Sequence, residues 1–524
     1  MPRAHPHILA IDHGTSGIKA AIVTVSGQVL DYEYERTSIR FLPGGGAEQD
    51  PAEWWQALVK AAAQLVARKS VHPEDITAMA VSSTFSTTVA VDKNGDPLMN
   101  ALTWMDSRGA PYVKKIVSGF PSIDGYGLFR IMRWIPKTGG GPTLSGKDDI
   151  AHVLLIKNKF PDVYRRTHMF LPSKDYLNLK LTGKFAASYD SMQLFWVTDI
   201  RDVRNIRYDD KLISLLSLDS AKLPPMAAST DILGTVCKEA AAAIGIPENV
   251  QVVLSSPDHQ TACIGSGAVD DFTGHLYVGT SSWIQAVIPF KKTDVLHSIA
   301  SFPTAIPGKY QSVNEQDMAG GCLSHLFDNL LFYDNALKTQ RSIDPYMHVD
   351  AIAGGVPAGS HNLIYLPWLN GERTPVDNTT LRGGFFNMSK TTTQDHLIRA
   401  VMEGVAFNTR WSLKYVERFI GRTLNPIHFI GGGAQSEVWC QIFADVMNRE
   451  IRQMANPRQA NARGAAFIAA VGLGHITFDD IPRLTRIRQI FHPDPANRAV
   501  YDRLYDVFIR LYRKNKSLFR RLNR

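Results

Sequence analysis

Residues 8–20 read Ile8-Leu9-Ala10-Ile11-Asp12-His13-Gly14-Thr15-Ser16-Gly17-Ile18-Lys19-Ala20. An apolar run, a break of small and hydroxylated residues, and a second apolar run to Val25 predict two strands joined by a tight turn. Ser26-Gly27 then marks a second turn into a third strand. Strand–turn–strand is not the strand–turn–helix of a P-loop or a dinucleotide fold. The first turn nonetheless offers backbone N–H groups and the hydroxyls of Thr15 and Ser16, donors suited to phosphate oxygens. Asp12, just before it, is placed to hold a magnesium ion through water, as that ion prefers.

The same signature returns in the second half of the chain. "HLYVGTSSWIQAVI" is again strand, Gly279-Thr280-Ser281, strand, and it begins about half a chain length after the first. Two such hairpins predict duplicated α/β domains facing one another, with both turns gripping the phosphates of one nucleotide. A chain of 524 residues is too long for one core, which agrees. The boundary falls at the end of the strand "VQVVLSS", giving domains 1–257 and 258–524 with no Pro/Ser-rich linker between them. Just there stands Asp258, followed by small residues. It either caps the next helix or does chemistry.

Local signals fill in the first half. Asp50 caps a helix that starts at Pro51, Glu53 can close a capping box, and Trp55, Leu58, Val59, Ala62 and Val66 supply its apolar stripe. "ITAMAVSS" and "TVAVD" read as strands, and residues 137–148 as an exposed loop. Within that loop Gly141 to Lys147 imitates GxxxxGK. Asp148 stands where a P-loop needs Ser or Thr, Pro142 removes a donor, and no buried strand leads in. A second imitation, Gly431-x-Gly433-x-x-Ser436, follows a strand and opens a helix that Ser436 can cap; Glu450 lies near the distance of a ribose-binding acid. Its third glycine is Ser436, and its bare backbone suits a nucleobase or ribose lying close.

Composition excludes several classes. Apolar residues make 44% and charged residues 20%, ordinary for a globular protein, and no run of about 18 apolar residues predicts a membrane span. The opening "MPRAHPH" lacks the apolar core of a secretion signal. Cys237, Cys263, Cys322 and Cys440 lie far apart without CxxC spacing, which argues against disulfides or structural zinc and predicts a cytoplasmic protein. The net charge of +8 owes part of its excess to the tail "IRLYRKNKSLFRRLNR". That tail reads as a solvated helix face with Leu, Tyr and Phe packed inward, and neither nucleic acid nor membrane is expected as a partner.

Taken together, "AIDHGTSGIKA", "AEQDPAEWW", "TWMDSRG", "PSKDYLNLKLTG", "PDHQTACIGSG", "YVGTSS", "YLPWLNGERTP" and "FIGGGAQSEVWCQIFADVMN" resemble, in order and nearly end to end, the FGGY family of carbohydrate kinases. The xylulose-kinase-like branch is the nearest. The resemblance implies two RNase H-like domains of the actin-like ATPase superfamily flanking a catalytic cleft, with ATP and Mg2+ held mainly by the C-terminal domain and a sugar mainly by the N-terminal one. It implies that Asp258 is the catalytic base. Gly14, Thr15, Ser16, Gly279 and Thr280 would cradle phosphates; Gly320, Gly432, Gly433 and Ala434 would line the nucleotide site. Asp12 would be the magnesium-side carboxylate, and a homodimer is the family-level expectation.

Departures concentrate at the sugar end. The family's Gln-Met-His run is Thr84-Phe85-Ser86 here, so the donors differ and D-xylulose itself is in question. Thr84, Phe85, Asp106 and Arg108 are the sugar-side candidates, with an interdomain ion pair as the alternative for the last two. Glu372-Arg373 reads as an architectural ion pair. The resulting expectation is an ATP-dependent kinase for a small ketose or polyol, a pentulose first, with ribulose, a tetritol or a pentitol as alternatives. A filament-forming or chaperone-type ATPase, a nicotinamide dehydrogenase and a sugar sensor without turnover are the rivals.

Overall fold

The structure, a computed structural model, describes residues 6–123, 125–331 and 344–523; the first five residues of the opening segment lie outside them. Strands β1 (His7–Gly14), β2 (Gly17–Thr24) and β3 (Val29–Arg36) form the predicted meander, with Gly14 opposite Gly17 at the first turn. β4 (Ile76–Ser83), β5 (Ile232–Thr235) and β6 (Gln251–Val253) complete a six-stranded sheet in the order β5-β6-β4-β1-β2-β3. β1, β4 and β6 are parallel and the rest antiparallel. Ile8, Leu9, Ala10 and Ile11 are all fully buried, because the central strands have packed layers on both faces.

The second half repeats this order of pairings, although its edge strand follows its neighbour in the chain where that of the first half precedes it. β7 (Gly274–Val278), β8 (Ser282–Ile288) and β9 (Tyr310–Val313) mirror the meander; β10 (Ile427–Ile430), β11 (Ile451–Met454) and β12 (Ile487–Phe491) mirror the rest. The order β9-β8-β7-β10-β11-β12 carries the same sequence of antiparallel and parallel pairings, and two further strands extend it beyond β9. Each Gly-Thr-Ser turn therefore occupies the same topological position in its sheet. Duplication, suggested by one short repeated motif, extends to the whole sheet framework.

Helix α1 (Pro51–Ala67) begins as expected: Asp50 accepts from the Ala52 N–H. Glu53 does not close a capping box; it reaches instead to the N–H and hydroxyl of Ser38. The buried stripe is Trp54, Leu58, Ala61, Ala62 and Leu65, so Trp54 rather than Trp55 faces the core. Burying such a side chain stabilises by about 1.5–3 kcal/mol, which decides the rotation of the helix. Residues 137–148 are not an exposed loop. Gly140 lies against the Trp196 ring, where a Cβ would come within 2.6 Å of it, and Thr293 of the second half donates to the Gly139 carbonyl at 2.7 Å. Missing side chains let the segment pack inward.

Five more helices matter below: α2 (Asp258–Gly265), α3 (Gln394–Ile420), α4 (Glu437–Met447), α5 (Ala460–Gly472) and α6 (Arg498–Leu522). α5 belongs to the second half but packs on β1, β2 and β4 of the first. Ile8, Ala10, Ala80, Cys263, Ala465 and Phe467 share one buried cluster, so a common core joins the halves. In α6, Tyr501, Leu504, Phe508 and Leu511 are buried, whereas Leu518 and Leu522 are exposed. The basic tail is thus largely the solvated face expected of it. A chain ending at Tyr512 keeps the buried anchors and should unfold within a few degrees of the full-length protein, as read by calorimetry.

Candidate functional site

β1 delivers Asp12 and the first turn to the cleft between the sheets. Asp12 keeps loose company: Lys19 Nζ lies 3.3 Å from one oxygen and Asn461 Nδ2 3.4 Å from the other. Lys19 spends a shorter bond, 2.9 Å, on the Arg458 carbonyl. The neighbouring Asn461 Oδ1 is buried without a partner. A weakly engaged carboxylate fits a cation that retains its waters and phosphate ligands. Among the described residues, no three His, Cys, Asp or Glu side chains gather to hold a metal on their own.

The turns are fixed from outside. Trp104 Nε1 donates to Thr15 Oγ1 at 2.9 Å, Gln49 Nε2 to the Thr15 carbonyl at 2.9 Å, and Tyr34 to the Ser16 carbonyl at 2.8 Å. With its carbonyls bound elsewhere, the turn keeps its polar face for a ligand. In the second turn the Gly320 N–H donates to the Gly279 carbonyl at 2.9 Å, and Ala319 to that of Thr280 at 2.8 Å. A Cβ on Gly320 would stand 2.5 Å from the Gly279 oxygen, so that contact requires glycine. Thr280 itself is exposed. His13, beside the first turn, is buried on Trp54 and pushed down to about 3, which makes it a packing residue.

The glycine run after β10 also has a physical cause. Gly431 sits at φ +91°, where a Cβ would meet the Val278 carbonyl at 2.4 Å, while Gly432 faces open space. Ser436 caps α4 by accepting from Trp439 N at 2.9 Å, as read from the sequence. Ala434 is buried, and its carbonyl receives Gln453 Nε2 at 2.7 Å. Glu450 is engaged by Arg452, which removes it as a ribose holder.

Asp258 is the first residue of α2, immediately after the Pro257 cap, and remains half-buried. It accepts from the His259 N–H at 2.9 Å and also from the Phe85 N–H. Burial first, then the charges of Glu315 and Asp12, holds its carboxyl well above the usual carboxylate range. Proton affinity is therefore concentrated at the junction of the halves, the environment in which carboxylates become acid–base groups. An aromatic column backs the site: Tyr277 stacks on Trp283 at 4.0 Å, Trp283 on His259 at 4.1 Å, and Phe85 lies 5.9 Å from His259. Gln285 Nε2 sits 2.8 Å from His259 Nδ1, and burial pushes that imidazole down to about 4.

At the sugar end the predicted residues divide. Thr84 and Phe85 are half-buried beside Asp258, and Phe85 stacks on Phe302 at 6.2 Å. Ser86 is buried at φ +56° with its hydroxyl on the Lys147 carbonyl, 2.7 Å away, so it serves the backbone. Asp106 is fully buried, accepts from Ala47 N at 3.0 Å and grips Arg108, which also pairs with Glu48 at 2.6 Å. The pair is internal to the first half, not interdomain. Nor is Glu372-Arg373 a mutual ion pair: Arg373 binds Glu315 and Asp317, while Glu372, pushed up to about 8 by burial, accepts from the Asn408 amide. Sequence reasoning missed Glu315, Asp317 and Lys147. Their only signal was two acids spaced by one residue after a strand, and a lysine inside a false P-loop.

Sequence models of the FGGY family of carbohydrate kinases match this chain twice, the N-terminal domain over residues 7–265 and the C-terminal domain over 275–473. The chain is 28% identical over 522 residues to a xylulose kinase of Staphylococcus epidermidis, covering 98% of this chain and 97% of that protein. It is 25% identical over 510 residues to a gluconokinase of Bacillus subtilis, covering 97% and 96%. Among solved structures, xylulose kinase from Rhodospirillum rubrum superposes with a TM-score of 0.80 at 27% identity, over 98% of this chain and 100% of that one.

Proposed function

The chain belongs to the FGGY family of carbohydrate kinases, and from that premise we propose that it transfers the γ-phosphoryl group of ATP to a hydroxyl of a pentulose, D-xylulose first. It is a sugar kinase, which sets aside the dehydrogenase and filament readings. One observation carries the mechanism: the Gly-Thr-Ser turns hold equivalent positions in duplicated sheets, and Asp258 opens the helix between them. Phosphoryl transfer asks little covalent chemistry of a protein. It asks for alignment, charge neutralisation and a carboxylate within reach of the nucleophile.

In this reading Gly14, Thr15, Ser16, Gly279 and Thr280 orient the phosphates, and Gly320, Gly432, Gly433 and Ala434 line the nucleoside side. Asp12 would hold a hydrated magnesium ion, which supplies neutralisation of the phosphate charge when bound. Asp258 accepts the proton of the acceptor hydroxyl as its oxygen attacks phosphorus; the bond to the ADP oxygen breaks and ADP leaves. His259, neutral at physiological pH, does not compete for that proton. Thr84 and Phe85 border the acceptor, while Asp106 and Arg108 brace the strands behind Trp104. The proposed division at residues 257/258 falls at the base itself, inside the N-terminal family match that runs to residue 265. Four free cysteines suit a cytoplasmic enzyme, and a homodimer is proposed on family grounds alone. Among the described residues no helix is long and apolar enough to cross a membrane.

The test is ADP release from magnesium-ATP across pentuloses, hexuloses, tetritols and pentitols. D-xylulose should raise release at least tenfold above the acceptor-free rate. A tetritol or pentitol doing so alone would move the substrate; silence across the panel with ATP bound would remove the pentulose reading and point to a rarer acceptor or to a sensor without turnover.

A further inference from the structure

The false P-loop ends in a lysine that no part of this mechanism uses. Lys147 is half-buried, its backbone is pinned by Ser86, and its ammonium makes no ion pair or hydrogen bond among the described residues. The charges it faces all come from the second domain: Arg373, Asp317, Glu315 and Asp377. Burial and then Arg373 pull its proton affinity down, against the opposing pull of Asp317, Glu315 and Asp377.

Arg373 is only partly satisfied. Its Nε donates to Asp317 at 2.9 Å and its Nη1 to Glu315, but Nη2 is buried with no acceptor. The guanidinium lies over the Trp104 ring, 5.4 Å from the centroid, and Trp104 bonds Thr15 of the first turn. Glu315 in turn accepts from Ser281 of the second turn and faces Asp258. Two cations with unspent donors thus converge from opposite domains, beside both turns and the base. Glu315 and Asp317 already neutralise Arg373, but its buried Nη2 and the Lys147 ammonium keep donors that an incoming oxyanion would accept.

We propose that Lys147 and Arg373 form an oxyanion clamp closing across the cleft, each domain supplying one arm. This rests on the kinase reading and deepens it. The oxyanion is either the phosphoryl group in transfer or a carboxylate on the acceptor; the second source would make the substrate a polyhydroxy acid. Lysine suits a point charge delivered on a flexible stem, and arginine a planar fork held in place by its acids.

Lys147→Met tests this, with Lys147→Arg as the conservative partner and unchanged magnesium-ADP affinity as the check on folding. Two affinities are measured by calorimetry, neither requiring turnover: orthovanadate to the magnesium-ADP complex, and D-gluconate to the free enzyme. At least a tenfold loss in Lys147→Met, restored within threefold in Lys147→Arg, is expected for one of them. Loss with orthovanadate assigns the clamp to the phosphoryl group, loss with D-gluconate to an acceptor carboxylate. A wild type that binds neither, or a Lys147→Met variant that binds both as the wild type does, overturns the clamp. Orthovanadate binding that depends on Lys147 alongside silence in the ADP-release panel would instead leave the clamp standing and overturn the pentulose reading.

Discussion

Asp258→Asn should lower kcat by about 10²–10⁴-fold, the range that a positioned general base contributes, while magnesium-ATP affinity stays within about threefold because the proposed phosphate contacts lie in the two turns. The amide retains the shape of the carboxylate and can still accept from the N–H groups of His259 and Phe85. Only the proton acceptor is removed. Turnover within tenfold of the wild type would exclude Asp258 from proton transfer and leave alignment as its whole role.

The same residue gives a signed pH expectation. Its folded-state pKa is raised by burial, Glu315 and Asp12, so the folded protein holds this proton more tightly than the unfolded chain does. Whatever stability follows from that difference is present below the unfolded carboxylate range and lost as pH rises through the raised value. At neutral pH an ionised Asp258 is therefore a cost to the empty enzyme, and Asp258→Asn should melt higher than the wild type. Catalysis runs the opposite way, because the base must be ionised. kcat/KM should fall on the acid side at a pH above the ordinary carboxylate range, and that limb should be absent from the residual rate of the variant. Higher stability with lost activity is the combined signature of a functional charge held in an unfavourable site.

How legible was this in the chain itself? The strand-turn-strand pattern around Gly14 and its echo at Gly279 were enough to predict duplication, because hairpin turns and buried strands are local matters. Ser436 and Asp50 were readable as caps for the same reason. The failures were of partner choice. Glu53 fits a capping box by spacing, yet Ser38 lies closer in the folded chain, and Arg373 adjoins Glu372 but bonds Glu315 and Asp317. Trp54 and Trp55 are both apolar; which one faces inward depends on what α1 packs against. Residues 137–148 look like a loop because they are rich in glycine, and they are buried for that same reason. Lys147 was visible only as a flawed motif, since its charged neighbours lie some 170 to 230 residues further along the chain.

The contact that places Asp258 predicts the second large effect. α2 and α5 cross at reciprocal glycines: a Cβ on Gly464 would fall 1.9 Å from the Thr261 carbonyl oxygen, and one on Gly265 would fall 1.8 Å from that of Ala460. Both obstacles are backbone, so no side chain can swing aside. Gly464→Ala must push the helices apart. Overpacking of this kind costs about 1–3 kcal/mol and more where the backbone itself must move, so a loss of at least about 3 kcal/mol is expected in chemical denaturation. Asp258 opens α2 one turn before Thr261, and a shift of about 1 Å at a reacting group can cost 10²-fold in rate. The variant should therefore lose kcat by about that factor at temperatures where it is still folded, with magnesium-ADP affinity little changed. Gly183→Ala supplies the control: it caps the end of the helix Ser173–Thr182 at φ +70° with nothing within 4 Å of a Cβ, so it pays backbone strain without a clash. If Gly464→Ala loses stability but keeps kcat, the helix crossing is only structural. If both fall together while Gly183→Ala keeps its rate, the spacing of the two helices sets the position of the proposed base.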